Sequence, residues 1–351
     1  MKILIAILIF SIIVLIHEFG HYIFARRFGV RVNEFMIGLG PRLFGIQGKE
    51  TMFSVHLLPF GGACVMEGED SSSDDPASFQ NKPAWQRFLI VFAGPLFNFI
   101  LAYILAAVLI ACVGYTPATI DSLMEGYPAE EAGLEPGDQI LSLNNYSIHF
   151  YQEVRAYNTF HPGETLEVTV KRDGEKKTFT IEPRWDEKNG VYLIGILQQS
   201  ANVKASFPQI FSKAFWEVRY MIYVTVQGLR MLVTGQLGMN DLSGPVAIVK
   251  TIGDAYEESV AVSIFYALME MCSLTILLSA NLGVMNLLPF PALDGGRLVF
   301  YLLEMIRRKK APEKVEEYVN LVGFAILMTF MVIVMFNDIW KIFGLFRGNG
   351  G

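Results

Sequence analysis

Apolar residues in this chain gather into four long runs, separated by mixed and polar stretches. The hydrocarbon core of a bilayer, roughly 30 Å thick, is crossed by about 20 apolar helical residues. Residues 3–16, 88–113, 271–288 and 319–336 are read as spans on that basis. The first is apolar except for Ser11, and its helical pattern continues to about Ala25. The second has Asn98 as its most polar member. The first run also looks like a signal peptide, with Lys2 ahead of an apolar stretch, but no small-residue cleavage site follows it. It is therefore read as a retained span.

Between the spans the pattern changes period. Residues 26–87 mix Gly and Pro with short β-type runs at 31–37 and 51–58, then Gly61-Gly62. Residues 70–75 (Asp-Ser-Ser-Ser-Asp-Asp) form a polar loop. Residues 116–200 read as a small β-rich aqueous domain, in which 166–171 and 177–182 alternate as strands around an Asp173-Gly174 turn. Residues 211–235 predict an amphipathic helix bearing Phe215, Trp216, Tyr220 and Tyr223. Its uncharged core is too short to span, which favours an interfacial position. The expected organisation is 1–115, two spans with a membrane-associated β region between them; 116–200, the inserted domain; 201–258, an extracytoplasmic amphipathic linker; and 259–351, the last two spans.

Composition agrees with a membrane protein carrying an aqueous domain: 52% of the 351 residues are hydrophobic, 18% are charged, and mean hydropathy is +0.39. The net charge of −6 is spread along the chain, which argues against nucleic acid as a partner. Cys64, Cys112 and Cys272 lack zinc-ligand spacing. Charge sets the expected orientation. Arg26, Arg27, Arg31, Arg42, Lys82 and Arg87 flank the loop between spans one and two, and Arg297, Arg307, Arg308, Lys309, Lys310 and Lys314 fill the loop between spans three and four. No Lys or Arg occurs at 114–154 or 251–288. Both basic loops are thus expected in the cytoplasm, with both termini and the inserted domain outside.

The chemistry begins at His17-Glu18-Phe19-Gly20-His21. Helical residues four apart stack on one face about 6 Å apart, so both imidazoles can reach one metal ion. Glu18 projects beside them, where a carboxylate can take a proton from water. Zinc suits two imidazoles and a carboxylate with a fourth position open. The alternative is a set of buried polar groups steadying a bundle, but ionisable groups following an apolar run are costly in a membrane without a function. His17 lies about 21 Å along the helix from Ile3, in the cytoplasmic half of the first span. The third span runs inward and ends in Asn286-Leu287-Leu288-Pro289-Phe290-Pro291-Ala292-Leu293-Asp294-Gly295-Gly296, which brings Asp294 to a similar depth. Glu34, Glu67, Glu69 and His56 compete as third ligand from polar stretches, and Asp294 could instead be a turn residue. Pro289 and Pro291 leave backbone groups unpaired, which membranes tolerate only where protein or a cavity receives them.

These stretches together resemble the site-2 protease family (peptidase M50), in its bacterial regulator-of-sigma-E protease (RseP-like) branch. The resemblance rests on His17–His21; on Phe92-Ala93-Gly94-Pro95-Leu96-Phe97-Asn98; on the PDZ-like 126–138; on Leu242-Ser243-Gly244-Pro245-Val246; and on 286–296. It implies a polytopic α-helical membrane protein of four transmembrane helices, with a membrane-associated β-structure and an inserted extracytoplasmic PDZ-like α+β domain. It implies Zn2+ held by His17, His21 and Asp294, Glu18 as catalytic base, and Asn286 positioning substrate or stabilising an oxyanion. Asn286 could equally serve as a helix cap or interhelical hydrogen bond, and that structural role is favoured for Asn98. Segment 30–66 would offer an edge strand to an unwound substrate, although Ala63-Cys64-Val65 stand where the family often has an aromatic and a basic residue. There is room for one PDZ domain, where some relatives carry two. The implied activity is cleavage of transmembrane segments in single-pass proteins of a bacterial cytoplasmic (inner) membrane: anti-sigma factors clipped by a first protease, and signal-peptide remnants. A catalytically silent PDZ scaffold or a metal transporter would be the rival classes, although transporters tend to show repeated halves, absent from this chain.

Overall fold

The structure, a computed structural model, describes residues 2–69, 74–187, 190–198, 202–238, 241, 243–310 and 312–348. Most of the polar loop at 70–75 and Leu242 of the 242–246 stretch therefore lie outside the described residues. The elements in order are α1 (Lys2–Arg27), β1 (Val32–Gln47), β2 (Met52–Met66), α2 (Ala84–Val113), β3 (Ser122–Leu123), α3 (Pro128–Glu131), β4 (Gln139–Leu143), β5 (Tyr146–Ser147), α4 (Tyr151–Phe160), β6 (Leu166–Arg172), β7 (Glu175–Ile181), β8 (Arg184–Asp186), β9 (Val191–Leu193), β10 (Ile196–Leu197), α5 (Phe207–Val233), α6 (Pro245–Val262), α7 (Ile264–Asn286), α8 (Asp294–Arg307) and α9 (Glu313–Gly348). They form two units, Met1–Leu105 with Leu232–Gly351, and Ala106–Met231.

In the first unit α1, α2, α7 and the Lys314–Lys341 part of α9 are long and apolar enough to cross a membrane. The third span begins at Ile264, earlier than the apolar run alone indicates, because the Ser263 hydroxyl accepts the Tyr266 amide at 3.0 Å and starts the helix there. Before it lies α6, which hydropathy did not single out. Pro245 occupies its first turn, and the Asp338 carboxylate of α9 accepts the Gly244 and Ala247 amides, each at 3.0 Å. Ile252 of α6 packs with Ala6, Ile9 and Ile13 of α1. The basic stretch after the third span is also helical over its first part. In α8, Leu298 and Tyr301 are buried, and Arg308 in the left-handed region ends the helix.

The β region is more extended than its short runs predict. Glu34, Phe35, Met36 and Ile37 of β1 each have two partners in β2, one at 52–55 and one at 62–65. The later part of β1 pairs again with 52–56. The stretch 62–66 thus lies on the outside of a doubled ribbon. Gly38, Gly40 and Gly61, all at positive φ, let the strands turn and continue. Leu43, Phe44, Ile46 and Leu57 are exposed.

The second unit has its own core of Ile120, Ile140, Leu143, Leu166, Val168, Val170 and Ile181 with their neighbours. Its main sheet runs β5-β4-β6-β7. The β6–β7 hairpin turns at Asp173 and Gly174, both at positive φ, as a two-residue primed turn requires. The expected amphipathic helix is α5. One face meets the core through Trp216 stacked on His149 at 3.7 Å and Tyr223 on Tyr146 at 4.4 Å. Phe207, Phe211, Phe215, Val226 and Val233 remain exposed. The predicted linker 201–258 therefore divides, α5 belonging to one unit and α6 to the other.

Candidate metal centre

Two small residues let the first two spans approach closely. A Cβ on Gly20 would collide with the Ala93 carbonyl, and one on Gly94 would collide with the His21 ring and lie 2.8 Å from His17 Cε1. The bare backbone at Gly94 is therefore the wall against which both imidazoles rest. His17 and His21, four apart on α1, are 7% and 8% exposed, and their Nε2 atoms stand 3.2 Å apart. Asp294, the first residue of α8, brings Oδ2 to 3.1 Å from His17 Nε2 and 3.5 Å from His21 Nε2. Among the described residues these three form the one group whose ligand atoms lie within 4.8 Å of one another.

The competing acids and histidine are engaged elsewhere. Glu67 accepts from the Asn33 amide at 2.9 Å, Glu69 pairs with Arg297, His56 Nδ1 meets the Gly40 carbonyl at 2.6 Å, and Glu34 lies 3.7 Å from His56 Nε2. Asp294 reaches its place through a loop in which Ala292 adopts φ +74° and its amide meets the Asn320 side chain at 3.3 Å. Gly295 and Gly296 are then obligatory, since a Cβ on either would collide with the backbone at Leu287–Leu288 or Phe290.

The donor set fits a zinc ion. His21 Nδ1 lies 2.9 Å from the Ile90 carbonyl, so its proton is on Nδ1 and the Nε2 lone pair is free for a metal. Asp294 Oδ2 is buried and has no hydrogen-bond partner. The His21 Nε2 lone pair and a carboxylate oxygen, converging with His17 Nε2 at these distances, suit a cation held among them.

Glu18 sits beside the cluster on α1, and its Oε2 accepts the Cys64 amide at 2.9 Å. Its Cγ would also be the neighbour of a Cβ on Gly62, at 3.7 Å. The outer edge of β2 at 62–64 thus borders the acid. Asn286 is the last residue of α7, half-buried, and its side chain has no hydrogen bond among the described residues. Sequence reasoning named the three clustered groups and Glu18. It did not find the Gly94 wall, the Cys64 amide, or the buried pair of Arg87 with Glu304 at 2.6 Å. Gly94 was legible as part of a Gly-Pro stretch, but its task appears only once α1 lies against α2.

Comparison with known proteins places this geometry. The family model of peptidase family M50 matches residues 5–330. A Clostridium acetobutylicum protein provisionally named a zinc metalloprotease is 38% identical over 96% of this chain and 97% of its own length. A Clostridium perfringens protein with the same provisional name is 37% identical, covering 97% and 98%. Zinc metalloprotease RasP of Geobacillus kaustophilus is 30% identical, covering 96% and 97%. With its zinc-fitting cluster and four helices long and apolar enough to cross a membrane, the chain belongs to peptidase family M50, the zinc-dependent site-2 metalloproteases.

Proposed function

We propose that this chain hydrolyses peptide bonds within transmembrane segments of single-pass membrane proteins, with His17, His21 and Asp294 as zinc ligands and Glu18 as general base. The observation that carries the reading is the convergence of three buried ligand atoms beside a carboxylate, on or next to helices built to cross a bilayer. Bound there, zinc would supply Lewis-acid polarisation of the scissile carbonyl and of water. Glu18 holds its place through Oε2, anchored by the Cys64 amide, so Oε1 is the atom that takes the proton from attacking water and returns it to the leaving amine. Asn286, half-buried at the end of α7, would hold substrate or stabilise an oxyanion.

A transmembrane helix satisfies its own backbone, so it must unwind before a base can reach it. The outer edge of β2 at 62–64 borders Glu18, and pairing with that edge would hold an unwound segment extended beside the acid. The bacterial relatives support a bacterial cytoplasmic membrane location, and the charge pattern supports catalytic groups toward the cytoplasm with the termini and residues 116–200 outside. The latter, PDZ-like in sequence at 126–138, would admit substrates whose outer domain has already been shortened; clipped anti-sigma factors and signal-peptide remnants are of that kind. The test is mass analysis of products from a panel of single-span substrates. Wild-type protein yields fragments cut within the span, and Glu18→Gln yields none while retaining one zinc. Undiminished turnover by Glu18→Gln would remove Glu18 from the mechanism.

A further inference from the structure

The two histidines are held from behind by one stripe of α2. His21 Nδ1 faces the Ile90 carbonyl, and His17 Nδ1 lies 3.3 Å from Asn98, whose amide is placed with Nδ2 toward the ring. Positions 90, 94 and 98 are four residues apart, so they repeat about every 6 Å on one helical face. Between the two partners lies Gly94, the bare wall. The spacing of four between the histidines on α1 is thus matched on α2, and each imidazole meets its own hydrogen-bonding group.

Asn98 is fully buried in a helix long and apolar enough to cross a membrane. Its Oδ1 has no partner, so nothing besides His17 decides which end of the amide turns toward the ring. An amide nitrogen facing Nδ1 would force the proton onto Nε2, where it would point into Asp294 and His21 and block the lone pair. An amide oxygen facing Nδ1 accepts its proton and leaves Nε2 bare. A half-turn of the amide exchanges the two ends without moving another atom. Ser279 of α7 donates to the Asn98 backbone carbonyl at 2.8 Å, which fixes the residue without engaging its side chain.

We propose that Asn98 is a positioning residue of the metal centre: its side-chain carbonyl receives the Nδ1 proton of His17 and holds the ring in the tautomer whose Nε2 faces Asp294 and His21. This rests on the reading of His17 as a ligand. A neutral acceptor does this work at less cost in a membrane than a carboxylate would. Removing such an outer partner typically weakens metal binding about 10–100-fold.

The experiment uses the full chain in detergent, loaded with zinc or with cobalt as spectroscopic probe, and compares wild type, His17→Ala, Asn98→Ala, Asn98→Leu and Asn98→Asp. Wild type takes up one ion and His17→Ala does not; failure of that comparison sinks the ligand assignment itself, whatever Asn98 does. Given a sound site, Asn98→Ala loses zinc to a chelator at least about tenfold faster and shows altered cobalt bands, whereas Asn98→Asp, which still accepts the Nδ1 proton, stays close to wild type. Asn98→Leu, which keeps the bulk but not the acceptor, takes the place of the alanine variant if that protein fails to fold. Wild-type zinc release and cobalt bands in the variants lacking an acceptor overturn the proposal. So does equal loss in Asn98→Asp and Asn98→Ala, because a simple interhelical tie would not be rescued by the acid.

Discussion

A hydrogen atom at the Gly94 Cα faces both imidazoles, and any larger group there would occupy the space the rings need. Overpacking a tight core costs about 1–3 kcal/mol, which a protein of this size can survive, but a displaced ligand cannot be replaced. Gly94→Ala is therefore expected to remain folded, to lose zinc by at least about two orders of magnitude in affinity, roughly 2.7 kcal/mol or more, and to cleave nothing. Zinc content measured against circular dichroism checks this, and full zinc occupancy in that variant would show that the helices have room to separate. The pairing of His17 with His21 beside Glu18 was legible from spacing, and depth brought Asp294 near them with Glu34, Glu67, Glu69 and His56 still competing, because i and i+4 on a helix, and the end of a span, are one-dimensional facts. The groups that support them were not. Gly94 and Asn98 act only through α1, and the Cys64 amide is a backbone group with no signature in the residue type.

At the level of elements, α8 carries Asp294 and must present it at the right rotation. Asp294, Leu298 and Tyr301 share one stripe, the latter two buried. Arg297 and Glu304, seven residues apart, share the adjacent flank. Arg297 pairs with Glu69 beyond β2, and Glu304 accepts both Nη2 contacts from Arg87 of α2 at 2.6 and 2.7 Å. Arg87 is 2% exposed and lies 4.9 Å over the Tyr301 ring. Two ties two turns apart on one flank prevent the rod from rolling. Removing one partner of a buried pair costs about 3–5 kcal/mol, so Glu304→Ala should lower the melting temperature clearly and also speed zinc release, since one of the two ties against rolling is then gone and the Arg297–Glu69 pair is left to resist it. A destabilised protein with unchanged zinc release would show that Asp294 is aimed by its loop alone. Long apolar runs announced the four spans, whereas α6 and α8 were missed. The apolar stripe of α8 is only Leu298, Tyr301 and their neighbours beside a basic tail, and α6 takes its cap from Asp338, which is 91 residues from Ala247. The β ribbon was likewise underread, because its glycines at positive φ look like stops and in fact carry the strands through their turns.

At the scale of the whole molecule, residues 106–231 have a core of their own, so the chain need not unfold in one transition. Within it Asp138 is buried beside Arg172, with contacts of 2.6 and 2.7 Å. Burial alone would push the Asp138 carboxyl up, but the Arg172 guanidinium and the Glu135 amide outweigh it and hold the carboxyl below the ordinary carboxylate range. The folded state thus prefers the ionised form. The contribution is complete above the unfolded value of about 3.9 and is lost as pH falls through the lower folded value. Protection of the β4 amides, read as the hydrogen-exchange rate relative to the intrinsic rate at each pH, should fall in acid in wild type, and less steeply in Asp138→Asn. Equal pH dependence in the two would assign the acid sensitivity to other groups.

The path of the chain also makes the proposed gating role separable from the proposed catalysis. Tyr115 and Val203 exchange both backbone hydrogen bonds, at 3.0 and 2.9 Å, so the segment between them leaves and returns at neighbouring points. Excising 116–200 therefore asks the remaining ends to span little distance, and none of the clustered ligands or Glu18 lies in the part removed. If the segment excludes substrates that still carry a bulky outer domain, its loss should raise cleavage of those substrates by about tenfold or more, roughly 1.4 kcal/mol of lost discrimination. Cleavage of already shortened substrates should change little, because the catalytic groups are intact. Parallel rates on both substrate forms, before and after excision, read the two effects apart. An unchanged ratio would mean that selection is made elsewhere, with the β2 edge beside Glu18 as the next surface to examine. A fall in both rates would instead show that the inserted domain takes part in presenting the peptide.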